Sequence, residues 1–248
     1  MKKHIPNAIT TLNLICGCFA ISTAFDGNLD VAAYFLIIAS ACDFADGLAA
    51  RALKVSNALG EQLDSLADMI SFGLAPGILL YQFLKHLNTV NEVPFFTQNP
   101  WIYYLAFLIP IFSAFRLAKF NIDEREGSSF YGLPTPANAG FFFFSIIIYF
   151  HPKLPKIINI NGIVDAVIGN PFIMLSLGII FSILLIVEVP MFSLKFKNMK
   201  WKDNKLPFTF ILLWLFLLFT TNIFAMPAIV IIYILFSIFK HFTSKTTA

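Results

Sequence analysis

Apolar runs recur along this chain, most of them close to the roughly 20 residues that a helix needs to cross the hydrocarbon core of a bilayer and the fifth shorter. Eight such runs stand out, at residues 6–25, 30–50, 62–84, 101–120, 136–151, 171–189, 206–222 and 225–242. A backbone in lipid must satisfy its own hydrogen bonds, so the runs predict helices. Composition agrees: 58% of the 248 residues are hydrophobic, 12% are charged, and mean hydropathy is +0.78. The expected fold is all-α, a polytopic membrane helix bundle of about eight transmembrane helices. The seventh and eighth are separated only near Thr220-Thr221-Asn222, which predicts a tight hairpin. Lys2-Lys3-His4 leads straight into the first run with no convincing cleavage site, so that run reads as a helix of the bundle. Cys16, Cys18 and Cys42 have no metal-ligand spacing and read as small packing residues. The run Phe141 to Phe144 reads as lipid contact or a dimer surface.

Charge sets the expected orientation. With the N-terminus inside, an eight-span chain leaves only Lys85, Lys153 and Lys156 of its 17 Lys and Arg residues outside. That is the bias of the positive-inside rule, and it predicts that both termini are cytosolic. The segment Lys195–Lys205, with Trp201, reads as a cytosolic loop on anionic headgroups. No nucleic-acid partner is expected.

Within these apolar runs stand four carboxylates. A carboxylate in hydrocarbon is costly and needs a partner, so such residues are functional candidates. Asp43, Asp46, Gly47 and Ala50 fall at i, i+3, i+4 and i+7, on one face of the second helix. Gly60, Asp64 and Asp68 are spaced by four and share a face of the third. Two helices joined by a short turn, each turning two carboxylates inward, make an all-oxygen site for a hard divalent cation such as Mg²⁺ or Mn²⁺. The predicted topology puts that site within about 10 Å of the cytosolic helix ends. An ion transporter would more often hold its acids at the midplane.

The full spacing is D-x2-D-G-x2-A-R-x8-G-x3-D-x3-D, met at Asp43, Asp46, Gly47, Ala50, Arg51, Gly60, Asp64 and Asp68. It resembles the signature of the CDP-alcohol phosphotransferase family. The resemblance implies that Asp43, Asp46, Asp64 and Asp68 hold divalent ions, two in number, around the diphosphate of a CDP-linked lipid. It assigns Asp68 the further task of general base toward an acceptor hydroxyl. Gly47 and Gly60 would let the nucleotide approach the backbone, though small residues also serve helix packing in membranes. Arg51 can fork onto phosphate oxygens or simply anchor a helix end. The opening Pro6-Asn7-x-x-Thr10 matches a stretch that lines the family's nucleotide pocket, which adds Asn7 and Thr10. Ser56 and Asn57, in the turn between the acidic helices, are further phosphate donors on this reading.

Three more stretches are similar to the membrane-embedded phosphatidylserine synthase branch of that family. They are Asp64–Pro76, Phe115-Arg116-Leu-Ala-Lys119-Phe-Asn121, and Phe130-Tyr-Gly132-Leu-Pro134-Thr-Pro136-Ala. The resemblance implies CDP-diacylglycerol and L-serine as substrates, phosphatidylserine and CMP as products, and a homodimer in the cell membrane with its site at the cytosolic face. Arg116 would take the serine carboxylate and Asn121 would hydrogen-bond the amino acid or cap its helix. Residues 1–150 would form the catalytic core, and 151–248 would complete the bundle. The same chemistry on glycerol 3-phosphate, inositol phosphate or choline is the nearest alternative, and an archaeal-type ether lipid donor fits the apolar surface equally well. A divalent-cation transporter would explain the carboxylates but not Gly47, Arg51 and Gly60.

Overall fold

The computed structural model describes residues 4–55, 58–122, 130–151, 161–191 and 204–246. Ser56, Asn57 and most of the Lys195–Lys205 segment lie outside the described residues. The helices are α1 (His4–Phe25), α2 (Leu29–Leu53), α3 (Ala58–Asp68), α4 (Ala75–Asn91), α5 (Pro94–Gln98), α6 (Leu108–Ile122), α7 (Thr135–Phe150), α8 (Asn161–Val167), α9 (Pro171–Ile186), α10 (Lys205–Thr221) and α11 (Ala225–Thr246). Among the described residues, five segments are long and apolar enough to span a membrane: His4–Phe25, Leu29–Leu53, Ala58–Asn91, Pro100–Ile122 and Pro207–Phe239. α7 and α9 are shorter apolar helices. The chain is thus the expected all-α membrane bundle, and the short α5 and α8 are additions to it.

The last long segment is not one rod. Asn222 has φ 56° and breaks it. The rings of Phe210 and Tyr233 are 6.0 Å apart, whereas 23 residues of continuous helix would separate them by about 34 Å. α10 and α11 therefore fold back on each other, as the short link predicts.

α1 and α2 pair antiparallel through small residues. Ala20 and Ala24 of α1 and Ala32, Ala33 and Ala39 of α2 are all buried, which allows close backbone approach, while Gly17 of α1 packs against Ile70 and Ser71 of the third span. The third span is longer than the 62–84 run and is interrupted. Between α3 and α4 lies a π-helical stretch, Met69–Leu74. Its cause is visible in the sequence: Pro76 has no N–H and its ring would crowd the carbonyl four residues back. The wider turn relieves this, with the Ala75 N–H bonding Ile70 O. The stretch starts one residue after Asp68.

α7 is the central helix, and it overturns one expectation. Phe141, Phe142 and Phe143 are 3%, 0% and 2% exposed, and Phe144 is half-buried. They are core, not a lipid or dimer face. A helix that is apolar all round is a buried one, and here α2, α4, α9 and α11 surround it. The cysteines are free thiols; Cys18 is exposed, so it is not a packing residue, while Cys16 and Cys42 are half-buried.

The start of α7 is fixed by a two-residue antiparallel ladder, β1 (Phe130–Tyr131) with β2 (Pro190–Met191). Gly132 turns there with φ +76°, and a Cβ on it would meet Leu185 O at 2.6 Å. Only glycine fits that corner. An ion pair from Lys119 to Glu188 closes the same end of the bundle.

Candidate functional site

The helical phase that brings Pro6, Thr10 and Asn13 to the buried face of α1 also presents them to the acidic motif. The Thr10 hydroxyl donates to Asp46 Oδ2 at 2.6 Å. One turn deeper, the Asn13 amide donates to Asp68 Oδ1 at 3.2 Å. α1 thus holds one carboxylate from each acidic helix.

The four aspartates do not form one set. Carboxylate oxygens of Asp43, Asp64 and Asp68 lie within 4.8 Å of one another. Asp46 stands outside this trio, drawn toward Thr10. Oδ1 of Asp64 is buried with no hydrogen-bond partner. Three carboxylates this close, one with an orphaned oxygen, form a donor set that suits a hard divalent cation and is poorly compensated without one.

Beside the trio opens a cavity of about 470 Å³. Asn7, Thr10, Gly47, Arg51 and Gly60 all line it, together with Asp46 and Asp64. A Cβ on Gly47 would meet only the Arg51 guanidinium nitrogens, at 3.6 and 3.8 Å. No neighbouring helix presses on it, so packing does not require a glycine at this position. By contrast, a Cβ on Gly77 would stand 2.6 Å from Pro110 Cδ, and that glycine does serve packing.

This geometry coincides with a match over residues 3–239 to the family model described as CDP-alcohol phosphatidyltransferase. The chain belongs to that family. Among curated CDP-alcohol phosphatidyltransferases, it is 37% identical over 135 residues to the CDP-diacylglycerol–serine O-phosphatidyltransferase of Bacillus subtilis, covering 54% of this chain and 70% of that one. It is 32% identical over 137 residues to the archaetidylserine synthase of Methanothermobacter thermautotrophicus, covering 54% of each. It is 31% identical over 142 residues to the CDP-diacylglycerol–serine O-phosphatidyltransferase of Mycobacterium leprae, covering 54% of this chain and 44% of that one. The chain thus spans about half the length of the last two.

The remaining predicted residues of this family member fall in two places. Arg116 is buried on α6, outside the cavity lining, and interacts electrostatically with Tyr233 of α11. Asn121 is exposed near the end of α6, where its amide exchanges hydrogen bonds with Ser65 at 3.0 and 3.1 Å. It neither caps its helix through that side chain nor sits beside Arg116. Two site residues escaped the sequence reading. Asn13 was legible as the next step in the Asn7, Thr10 spacing. Lys54 lines the cavity from a left-handed C-cap, φ 52°, a conformation that no local pattern announces.

Proposed function

We propose that the chain transfers the phosphatidyl group of CDP-diacylglycerol to the hydroxyl of L-serine, giving phosphatidylserine and CMP. The observation that carries this is the 470 Å³ cavity, which gathers Asn7, Thr10, Gly47, Arg51 and Gly60 against the aspartates. The names of the Bacillus subtilis and Mycobacterium leprae relatives support serine as the acceptor.

Asp43, Asp64 and Asp68 are assigned to divalent ions, Mg²⁺ or Mn²⁺ and two in number, with Asp46 contributing from the cavity side. Bound there, the ions would neutralise the diphosphate and the charge on departing CMP. The chain's own residues do the rest. Arg51 and Lys54 attract the cytidine-side phosphates, and Gly47 leaves room for the nucleotide against α2. Asn13 holds one oxygen of Asp68, and the carboxylate takes the serine hydroxyl proton. The serine oxygen bonds to the lipid-side phosphorus as the bond to the bridging oxygen breaks, and CMP carries that electron pair away. Positioning and charge neutralisation supply most of the rate.

The same reading takes residues 1–150 as the catalytic core and 151–248 as helices completing the bundle. It sets both termini and the cavity at the cytosolic face of the cell membrane, and the chain as a homodimer. The test is a product assay with purified protein in detergent, CDP-diacylglycerol, Mg²⁺ or Mn²⁺, and one acceptor at a time. Serine-dependent CMP release with phosphatidylserine formed is the expected result. Activity only with another alcohol would discard serine, and preference for an isoprenoid ether donor would shift the lipid assignment toward the archaeal relative.

A further inference from the structure

The amide of Asn138 is 0% exposed, yet neither its nitrogen nor its oxygen has a hydrogen-bond partner. An amide buried with both ends unmade is among the costliest neutral arrangements a core can hold. The hydroxyls of Thr135, one turn earlier on α7, and of Ser113 on α6 are equally buried and equally unpartnered. Helix register brings Asn138 and Thr135 to the level of the carboxylates and puts Ser113 opposite Gly73, further into the bundle.

α2 and α7 run antiparallel. His151 Nε2 lies 3.4 Å from Asp30 Oδ2, and Ile37 and Phe144 line one apolar cavity enclosed by α2, α7, α10 and α11. Thirteen residues back along α7 from His151 is Asn138, and thirteen forward along α2 from Asp30 is Asp43. Asn138 therefore stands at the depth of the carboxylate trio. Its neighbours Pro136, Ala137 and Gly140 line the apolar cavity. Asn138 and Thr135 are on the opposite face, toward the core. On the other flank, Ser65 meets Asn121 and Gly73 meets Ser113. The same register sets Arg116 beside Ile70, two residues past Asp68.

From this placement we infer that Asn138, with Thr135, forms the inner wall of the acceptor site and hydrogen-bonds the polar groups of the amino-acid alcohol while its hydroxyl meets Asp68. An amide offers two donors and an acceptor, which matches an acceptor carrying a carboxylate and an ammonium. The inference rests on the proposed transfer reaction and names a specificity-determining residue for it. A site built to hydrogen-bond its substrate keeps unmade bonds until that substrate arrives, and it rejects alcohols that lack those groups.

The test is Asn138→Leu, nearly isosteric and apolar, measured in the full chain in detergent. Three quantities are read: the KM for serine, the KM for CDP-diacylglycerol, and the thermal midpoint without substrates. The expected result is a KM for serine raised at least tenfold, a KM for CDP-diacylglycerol within twofold, and a midpoint equal to or above wild type. A lowered midpoint would mean the amide is satisfied in the resting protein by water, and would overturn the inference. So would an unchanged KM for serine, or equal changes in both KM values. Failure of the serine reading itself appears separately, as a wild-type protein that releases no CMP with serine.

Discussion

Asn13 donates its side-chain amide to Asp68 across 3.2 Å, joining residues 55 apart in the chain. The bond engages one oxygen of Asp68, the carboxylate proposed both as a metal ligand and as the base. Asn13→Ala should therefore lower kcat about 10- to 100-fold, the worth of a hydrogen bond to a charged group. Both KM values should stay within about threefold. Steady-state CMP release separates these outcomes, and a rise in KM without loss of kcat would remove Asn13 from positioning Asp68.

The split between the trio and Asp46 makes a graded prediction. Asp43→Asn and Asp64→Asn should each abolish high-affinity Mn²⁺ binding, read by electron paramagnetic resonance. Asp46→Asn should weaken it by a smaller factor, since Asp46 is held by Thr10 and lies outside the trio. Equal losses in all three would show that the four carboxylates act as one set.

Asp68→Asn removes a ligand of the trio as well as the base, so at saturating Mn²⁺, where CDP-lipid still binds, transfer should remain reduced by about 10²–10⁴, the usual contribution of a general base. Near-normal turnover in this variant would end the base assignment.

Gly47 and Gly77 form an internal comparison. Gly47→Ala should leave thermal stability unchanged and raise the KM for CDP-diacylglycerol, because its Cβ enters the cavity. Gly77→Ala should cost about 1–3 kcal/mol by overpacking against Pro110 with little effect on KM. Unfolding midpoints in detergent and paired KM values check both.

Chelation should stop CMP release completely, and Mg²⁺ or Mn²⁺ should restore it. Full activity after exhaustive EDTA treatment and dialysis would exclude the metal role given to Asp43, Asp64 and Asp68.

Much of this was legible before any coordinates. Apolar runs fix helices in lipid, and α1, α2 and the α10–α11 hairpin follow them closely. The motif spacing foretold that Asp43, Asp64 and Asp68 converge, because i, i+4 steps on neighbouring helices leave little choice. What escaped depends on neighbours. Nothing local in Phe141–Phe144 says that four helices surround α7, so the run reads as a lipid face. Asp46 separates from the trio because of a hydroxyl 36 residues away on another helix. Asn138 looks like an ordinary polar residue near a helix start until its complete burial without a hydrogen-bond partner is known.

The π-helical stretch Met69–Leu74 makes the third span behave like two shafts joined by a coupling. Upstream, its angular phase points Asp64 and Asp68 at Asp43. Downstream, a separate phase seats Gly77 on Pro110 and Leu80 on Gly178. Each α-helical residue advances about 100° and 1.5 Å, whereas the i to i+5 turn of the coupling takes in one residue more than an α turn. A residue lost from α3 or α4 would swing everything beyond it by roughly that angle and turn the carboxylates or the glycine seats from their partners. A residue lost from the coupling is taken up by tightening it to an α turn, so this is where the length of the span has slack.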